Sequence, residues 1–302
     1  MKAAWLVCAL AVAGAGSTAR TATPELVVEG DGARATTIMG TPARLRIDPA
    51  APGIPMLNPD IAARARLKAG PFGVAYGVGP TTVDGRTAVA RIDLDRGPVR
   101  RRVSWGTRPF VQGAAGAVGP AGLDHPRIRF QLRAPRPGER TVTLPIAGGG
   151  GLFGGWDFMG ATIAVDGYPV RVRFDPRRPS FATAGAGVAL ARALGGVLDG
   201  PARLQEIAFG VERPVRLLRL HRPLSLGPLS VDRLLVRVAD FGTTASIAEA
   251  GAAPADPDEV VVTAKGERDR KRDVLTLGRD QLDRCSSIVF DKPARQVRLS
   301  CI

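Results

Sequence analysis

Short runs with strand character follow one another along most of the chain. Residues 86–94 and 99–105 carry β-branched side chains and alternate in part between apolar and polar positions, which is typical of half-buried strands. Asp84-Gly85 predicts a tight turn before the first of these runs. The pattern favours many short strands over long helices.

The clearest hairpin lies in the middle of the chain. Residues 162–165 and 170–174 form two apolar runs separated by Asp166-Gly167, a dipeptide that favours a two-residue turn. In the second run Arg171 and Arg173 alternate with Val and Phe, so the strand is expected to have one solvated and one buried face.

Helical signals are short and occur twice. Asn58 is a candidate N-cap, with Pro59 at the first helical position, for a helix over residues 61–67. A second helix is predicted over residues 188–194, before Gly195-Gly196. Runs of strands with two brief helices predict an all-β fold.

Similar strand ends stand before the two predicted helices. Residues 44–50 and 171–177 share the order Arg-x-Arg-apolar-Asp-Pro, and each precedes its helix by about ten residues. Each half also closes with an apolar segment containing Gly and then a strand, at 116–123 and 127–130 and again at 274–282 and 288–291. An internal duplication explains this order.

The duplication predicts two lobes joined by a Gly-rich connector. Residues 245–273, rich in Ala, Asp and Pro and then in charge, account for most of the greater length of the second lobe and are interpreted as an inserted loop. The predicted divisions are a signal peptide at 1–19, an N-terminal lobe at 25–147, the connector at 148–160 and a C-terminal lobe at 161–302.

Composition and charge exclude some classes of protein. The apolar fraction of 45% and charged fraction of 23% are those of a folded chain rather than a disordered one. The 42 Lys plus Arg and 28 Asp plus Glu give a formal net charge of +14. Because the arginines are spread over the whole length and the aromatic residues are not interleaved with them, nucleic acid is not expected as a partner.

The first residues resemble a secretory signal. Met1-Lys2 precedes an apolar stretch at 3–16, and the small residues Ser17 and Ala19 suit cleavage after Ala19. The stretch is too short to span a bilayer, and no later segment reaches the required length. A periplasmic or secreted protein is expected, with no transmembrane segment after signal removal.

Removal of the signal takes Cys8 with it and leaves Cys285 and Cys301. The segment between them reads as strand, turn at 291–295 and strand, which places the two cysteines opposite one another. In an oxidising compartment the pair is expected to form a disulfide. Two separately buried thiols are the alternative.

The order of the repeated segments in the two halves resembles that of the aspartic peptidases, the superfamily of pepsin and the retropepsins. In that family a strand ends in Asp-Thr-Gly or Asp-Ser-Gly, and a later apolar pair with Gly precedes a helix and a closing hairpin. The matching segments here are Ile47-Asp48-Pro49-Ala50, Ala117-Val118-Gly119, Phe174-Asp175-Pro176-Arg177 and residues 276–282. The resemblance covers nearly all of the chain after residue 19. It implies a bilobal acid-protease-like fold, with two related β-barrel-like lobes and an interlobe cleft.

The resemblance assigns Asp48 and Asp175 as the catalytic pair and a peptide or protein as the ligand in the cleft. Two neighbouring carboxylates cannot both ionise cheaply, so they share a proton and hold an attacking water. One acts as base toward that water while the other donates to the substrate carbonyl. Strand-end carboxylates that only cap a turn are the alternative.

The chain departs from the family at both aspartates. Pro49 and Pro176 replace the Thr or Ser, which removes the hydroxyl and the N–H of a reciprocal lock between the lobes. Gly is replaced by Ala50 and Arg177, and a guanidinium within about 4–6 Å of the pair would lower carboxylate pKa values. Arg177 is therefore a candidate modulator, and hydrolysis is expected to be weakened or absent.

Other chemistry is less well supported. Tyr76, in the Gly-containing run 73–79, is a candidate flap residue, since pepsin-like enzymes hold a Tyr on a hairpin over the cleft; an ordinary half-buried Tyr is the alternative. His125 and His221 are far apart and no ligand cluster accompanies them, so neither a metal nor another cofactor is expected. No Gly-x-Ser-x-Gly elbow and no phosphate-binding Gly-Lys-Ser/Thr loop is present.

The insert at 245–273 contains an apolar run, 258–264, followed by dense charge. The apolar run is similar to a short segment near the N-terminus of some TonB-dependent receptors, which suggests an envelope partner for this loop. An exposed loop or edge strand guarded by charges is the alternative.

Two functions of different classes follow from the sequence. The first is an exported aspartic-peptidase-like protein that hydrolyses or only binds peptide in its cleft. The second is a basic envelope protein that binds an anionic polymer or lipid surface through its arginines, without enzymatic activity.

Overall fold

β-Strands make up most of the computed structural model, which describes residues 24–94, 97–149, 154–240, 242–252 and 272–302. The elements of the first half are β1 (Glu25–Val28), β2 (Ala33–Ile38), β3 (Thr41–Ile47), β4 (Met56–Leu57), α1 (Pro59–Arg64), β5 (Gly73–Val78), β6 (Thr81–Asp93), β7 (Pro98–Gly106), β8 (Gly116–Val118), β9 (Arg127–Gln131) and β10 (Arg140–Ala147).

The second half repeats this series with longer strands. Its elements are β11 (Gly160–Val165), β12 (Tyr168–Asp175), β13 (Phe181–Ala182), α2 (Ala184–Leu194), β14 (Gly196–Ala208), β15 (Val211–Leu226), β16 (Leu229–Arg237), β17 (Ala239–Asp240), β18 (Gly242–Thr243), β19 (Ala248–Glu249), β20 (Val274–Gly278), α3 (Arg279–Leu282), β21 (Cys285–Asp291) and β22 (Gln296–Cys301). Two short 3₁₀ turns lie at Pro120–Gly122 and Gly154–Trp156.

The two halves arrange their strands in the same order. The first half runs β2-β3-β8-β4-β7-β6-β5, and the second runs β11-β12-β20-β13-β16-β15-β14. In both series the second strand pairs in parallel with the third and the fourth in parallel with the fifth, and the other neighbours are antiparallel. A duplicated sequence folds twice in the same way.

The first series closes into a barrel. β2 pairs with β6 as well as β3, at Ile38 and Ile92, which gives a closed six-stranded barrel. Both isoleucines are fully buried inside it. The predicted all-β fold with two related lobes is therefore confirmed.

A set of strands from both halves joins the lobes. These strands follow the order β1-β9-β21-β22-β10-β11, in which β9 pairs with β21 and β10 pairs with β22. Backbone hydrogen bonds therefore cross from one half to the other. The ring of Phe290 on β21 packs edge-on against Phe130 and Phe174, with centroids 5.8 and 6.1 Å apart. Phe174 directly precedes Asp175, so this shared core fixes the end of β12.

The turn predicted at Asp84-Gly85 is not there. Both residues lie inside β6, and the hairpin with β5 turns at Gly79-Pro80, where Gly79 has a φ of 63°. A Cβ on Gly85 would lie 2.7 Å from the ring of Tyr76. The glycine therefore permits close packing inside a strand rather than a turn.

The second helix begins earlier than predicted, at Ala184 rather than Val188. Gly185 and Gly187 are poor helix formers, so the sequence pattern did not predict the first turn of the helix. A Cβ on Gly187 would lie 2.1 Å from Cγ2 of Val236, which shows that the position is used for helix–strand packing.

The side chain of Asn58 does not cap α1, contrary to the prediction. Its amide donates to the carbonyls of Val111 and Ala114, and its Oδ1 accepts from the N–H groups of Phe110 and Val111. Asn58 therefore fastens the loop between β7 and β8, which lines the cleft.

Two predicted segments extend beyond the described residues. The signal peptide at 1–19 lies wholly outside them, as do residues 253–271 of the predicted insert. The described ends of the insert belong to the lobe, because β19 pairs with β14 and the buried Asp273 accepts a hydrogen bond from Tyr168. No helix in the described ranges is long and apolar enough to cross a membrane.

Cys285 and Cys301 form a disulfide across the last hairpin. They are paired positions of β21 and β22, with Cα atoms 3.8 Å apart, and both are fully buried. The bond joins residues separated by 16 positions. It therefore restricts the unfolded chain over a short loop, and it secures two strands of the sheet that joins the lobes.

Replacing both cysteines by Ser should lower the free energy of unfolding by about 3 kcal/mol, the value for a loop of this length. Urea unfolding with and without a thiol reductant measures the effect. The reductant should destabilise the wild-type chain and leave the double variant unchanged. Equal stability of the wild-type chain with and without reductant would show that the disulfide contributes nothing.

Candidate functional site

The two aspartates lie at matching strand ends. Asp48 directly follows β3, which pairs in parallel with β8, and Asp175 ends β12, which pairs in parallel with β20. The N–H of Asp48 donates to the carbonyl of Val118 at 3.0 Å, and Asp175 is the register partner of Gly278. Each carboxylate thus emerges where its strand leaves a parallel pair.

Both carboxyl groups are buried and oriented by the following residues. Asp48 and Asp175 are each 2% exposed. The Oδ1 atom of Asp48 accepts from the N–H of Ala50 at 2.9 Å, and that of Asp175 accepts from the N–H of Arg177 at 3.1 Å. The two loops therefore hold their carboxylates in the same way.

Two glycines allow these loops to fold tightly. A Cβ on Gly119 would lie 2.0 Å from the carbonyl oxygen of Ala51, and a Cβ on Gly278 would lie 2.2 Å from that of Arg178. Neither distance is compatible with a side chain. The apolar-apolar-Gly segments found in the sequence therefore position the two aspartate loops.

The Arg177 guanidinium contacts both carboxylates. Its Nη2 donates to Oδ2 of Asp48 and lies 3.7 Å from Oδ1 of Asp175. Arg178 pairs with the other carboxylate oxygen of Asp175, Oδ2, at 3.4 Å. It also pairs with the carboxylate of Glu206 at 3.3 Å. The aspartates of the two lobes thus meet within reach of one guanidinium nitrogen.

The prolines leave each aspartate loop bonded within its own lobe. Pro49 and Pro176 have no N–H, and the loop N–H groups of Ala50 and Arg177 serve the aspartate of the same loop. The Arg177 side chain of one loop contacts Asp48 of the other. An ion pair connects the loops in this protein.

Arg177 lowers the pKa of Asp48, in the predicted direction, but the net shift of that pKa is upward. Burial raises the pKa of Asp48, with a further contribution from the charge of Asp175, and together they outweigh the lowering by Arg177. The pKa of Arg177 is itself raised, because burial, which favours the neutral form, is outweighed by the two carboxylates. Arg177 is thus a permanent cation beside a carboxyl group that is costly to ionise.

Two adjoining cavities form the interlobe cleft. The first, of about 560 Å³, contains the two aspartates with Arg46, Arg173, Arg177, Arg178 and Glu206 on its walls. The second, of about 360 Å³, is lined more by apolar groups, including Met56, Tyr76, Trp156 and Phe158. Arg173, Phe181 and Phe209 border both cavities. Most of the charged side chains of the cleft therefore line the first cavity, while Asp157 and Arg237 lie among mainly apolar residues in the second.

Hairpins from both lobes meet over the second cavity. Tyr76 lies on β5, close to the tip of the β5–β6 hairpin, and its ring centroid is 5.0 Å from that of Phe209. Phe209 is the tip of the β14–β15 hairpin and also packs on Phe110 at 5.2 Å. The structure thus places Tyr76 at the cleft, where burial raises the pKa of its hydroxyl.

The sequence did not identify Phe209 as a site residue. Phe209 and Gly210 both have positive φ angles, 56° and 65°, at a two-residue turn. Turns of that kind usually carry Asn, Asp or Gly at the first position, so Ala208-Phe209-Gly210 gives no turn signal.

The alternation along β12 predicted that Arg173 lies on a solvated strand face. The structure instead places Arg173 in the cleft. Its guanidinium lies over the ring of Phe158 at 4.1 Å, and that of Arg171 lies over the same ring at 4.3 Å. Phe158 comes from the connector and forms a bridge with Pro52 of the first lobe. The face opposite the core is therefore covered by another part of the chain.

Metal ligands do not cluster in the described residues. Within those ranges no three His, Cys, Asp or Glu side chains are arranged to hold a metal ion. Cys285 and Cys301 line neither cavity of the cleft.

Comparisons with known proteins give limited similarity. No protein-family model matches the chain. No curated protein matches it. A solved structure of EIAV protease complexed with the inhibitor HBY-793 is similar over 30% of this chain and 82% of that one, with 17% identity and a TM-score of 0.24.

Asp48 should make stability depend on pH. Its pKa is raised above 3.8 by folding, so its contribution to stability is full below that value and is lost as the pH rises through the folded-state pKa. The stability of the wild-type chain relative to Asp48→Asn should therefore fall as the pH rises above about 4. Urea unfolding across this range measures it. Asp60→Asn, at an exposed position of α1, is the matched control. A difference that is flat with pH, or that grows, would contradict the assignment.

Gly119→Ala should lower the free energy of unfolding by about 2 kcal/mol or more, since the new Cβ displaces the Asp48 loop. Gly77→Ala is the control, because a Cβ there meets nothing within 4 Å, and it should change stability by less than about 0.5 kcal/mol. Thermal unfolding of both variants compares them. Equal effects would show that Gly119 does not clamp the loop.

Proposed function

We propose that this protein binds extended peptides in the cleft between its lobes, as an aspartic-peptidase-like protein whose hydrolytic activity is weakened or lost. The observation that carries the proposal is the contact of Arg177 with both buried carboxylates. Asp48 and Asp175 come from equivalent loops of two related lobes, and they line one cavity. This placement supports a common ancestral use of the pair rather than two unrelated turn caps.

The chemistry of hydrolysis requires a shared proton. In a carboxylate pair, one protonated and one ionised group hold the attacking water between them. A guanidinium that pairs with both carboxylates opposes that state, because its charge lowers the pKa of Asp48. Burial still favours a proton on Asp48. The two influences compete, which supports weakened catalysis rather than a fully competent pair.

The shape and walls of the cleft support a peptide as the ligand. Two adjoining cavities provide length, and their apolar walls suit side chains. The tips of two hairpins border the cleft and contact each other through aromatic rings, which adds apolar wall for a ligand. Charged groups next to the apolar wall would orient the bound peptide.

Export is part of the same proposal. The signal-like start of the chain predicts it, and the Cys285–Cys301 disulfide supports an oxidising compartment. The periplasm or the exterior of the cell would then supply the peptides.

The full chain after residue 19 should retain members of a library of unstructured decapeptides, with free and with amidated C-termini, without cutting them. Ultrafiltration with mass spectrometry measures retention, and the same spectra at pH 3.5 to 6 detect cleavage. Cleavage that is absent from Asp48→Asn and present in Asp60→Asn would show an active peptidase and overturn the loss of activity.

Failure to retain any peptide would overturn peptide binding. A control arm measures retention on heparin at increasing salt, because the anionic-surface alternative requires an affinity that falls steeply with ionic strength. Salt-dependent heparin binding without peptide retention would favour that alternative.

A further inference from the structure

The charges in the first cavity do not balance. Its acidic groups are Asp48, Asp175 and Glu206, and all three are engaged by Arg177 or Arg178. The remaining cations on its walls are Arg46 and Arg173. What distinguishes these two arginines is how their donors are used.

Arg46 and Arg173 occupy equivalent places, each two residues before an aspartate. Because side chains alternate along a strand, each points to the same face as its aspartate. The Arg46 side chain is used by its own lobe: Nε donates to the carbonyl of Asp31 and Nη2 to that of Gln112, both at 3.1 Å. Arg46 is therefore a structural residue that holds loops together.

The Arg173 side chain is not bonded to carbonyl groups of the described residues as the Arg46 side chain is. Its Nε is buried and has no hydrogen-bond partner among the described residues. Asp157 and Asp175 favour its charge, but Asp157 pairs with Arg171 at 2.6 Å and Asp175 with Arg178 at 3.4 Å. Burial lowers the pKa of Arg173 to about 10, so it stays protonated at neutral pH and bears the cost of desolvation.

Packing holds the Arg173 guanidinium in place. The guanidinium carbon lies over the ring of Phe158, 4.1 Å from its centroid, and this contact restricts the movement of the group. It borders both cavities of the cleft, at the boundary between the charged and the apolar parts. A planar guanidinium that is fixed in this way can receive a carboxylate through two parallel hydrogen bonds.

We propose that Arg173 anchors a carboxylate of the peptide bound in the cleft, with an apolar side chain of that peptide in the adjoining cavity beside Met56, Phe158 and Phe181. The inference rests on the proposed peptide binding, and it specifies which peptides the cleft prefers. The carboxylate belongs either to an acidic side chain or to the C-terminus of the peptide. Both offer the same group to the guanidinium, and the test separates them.

Three synthetic peptides with a common apolar core are the probes. The first has a central Glu and an amidated C-terminus, the second has Gln in place of Glu, and the third has the central Gln with a free C-terminal carboxylate. Isothermal titration calorimetry measures their affinities for the wild-type chain. One or both carboxylate peptides should bind at least about tenfold more tightly than the neutral one, as a buried charge-assisted hydrogen bond provides.

Arg173→Met keeps an unbranched apolar side chain over Phe158 and removes the charge. This variant should lose the tenfold preference and keep its affinity for the neutral peptide. Arg173→Lys should keep part of the preference, which covers the case that the Met variant folds poorly. Arg64→Met, at an exposed position of α1, removes the same charge elsewhere and should bind like the wild-type chain.

The outcomes separate the two proposals. Equal affinity of the wild-type chain for all three peptides overturns the role of Arg173 and leaves peptide binding intact. A carboxylate preference that survives in folded Arg173→Met also overturns it. Preference for the first peptide identifies an acidic side chain, and preference for the third identifies the C-terminus. Binding of none of the peptides, in agreement with the library experiment, overturns the proposed function itself.

Discussion

The placement of two buried carboxylates at the junction of two lobes is the constraint on which this structure depends. Each of Asp48 and Asp175 is held by a backbone N–H of its own loop, and neither has solvent to stabilise its charge. A buried pair of like charges must either take up a proton or acquire a cation. The chain provides a cation in Arg177, at the position where the aspartic peptidases that the sequence resembles have glycine. The Arg177 side chain connects the two aspartate loops, and in the proposed function it is the group that opposes hydrolysis.

The duplication explains both the symmetry of the site and its asymmetry. The strand order and the pairing pattern are the same in the two lobes, so equivalent residues reach the cleft from both sides. The residues themselves differ. Ala50 stands opposite Arg177, and Arg46 binds carbonyl groups of its own lobe while Arg173 lies on an aromatic ring in the cleft. A symmetric backbone thus carries a site whose two sides differ, which suits the proposed binding of a peptide with two different ends.

Local patterns in the sequence predicted much of the fold. Alternation around Asp166-Gly167 gave the β11–β12 hairpin, and the strand-turn-strand pattern between Cys285 and Cys301 placed the cysteines opposite one another, where they are bonded. The repeated Asp-Pro segments led to the two loops of the site. In each case the information lies within a few residues, so periodicity and turn chemistry are sufficient.

Contacts between distant segments account for what the sequence did not predict. Alternation along β12 shows that Arg173 points away from the core, but it does not show that the connector covers that face with Phe158. The role of Asn58 depends on a loop more than fifty positions away. Phe209 adopts a left-handed conformation that its residue type disfavours, supported by aromatic contacts across the lobes. The net direction of the Asp48 pKa shift also could not be predicted from the sequence, because the rise caused by burial outweighs the lowering by Arg177.

Arg177 acts directly on the buried carboxylate pair. The most direct measurement is a ¹³C NMR titration of the Asp48 carboxyl carbon in the wild-type chain and in Arg177→Gln. We expect the pKa of Asp48 to lie above 3.8 in the wild-type chain and to rise further in the variant, because the main opposing charge is lost. The same pKa in both proteins would contradict a direct action of Arg177 on Asp48.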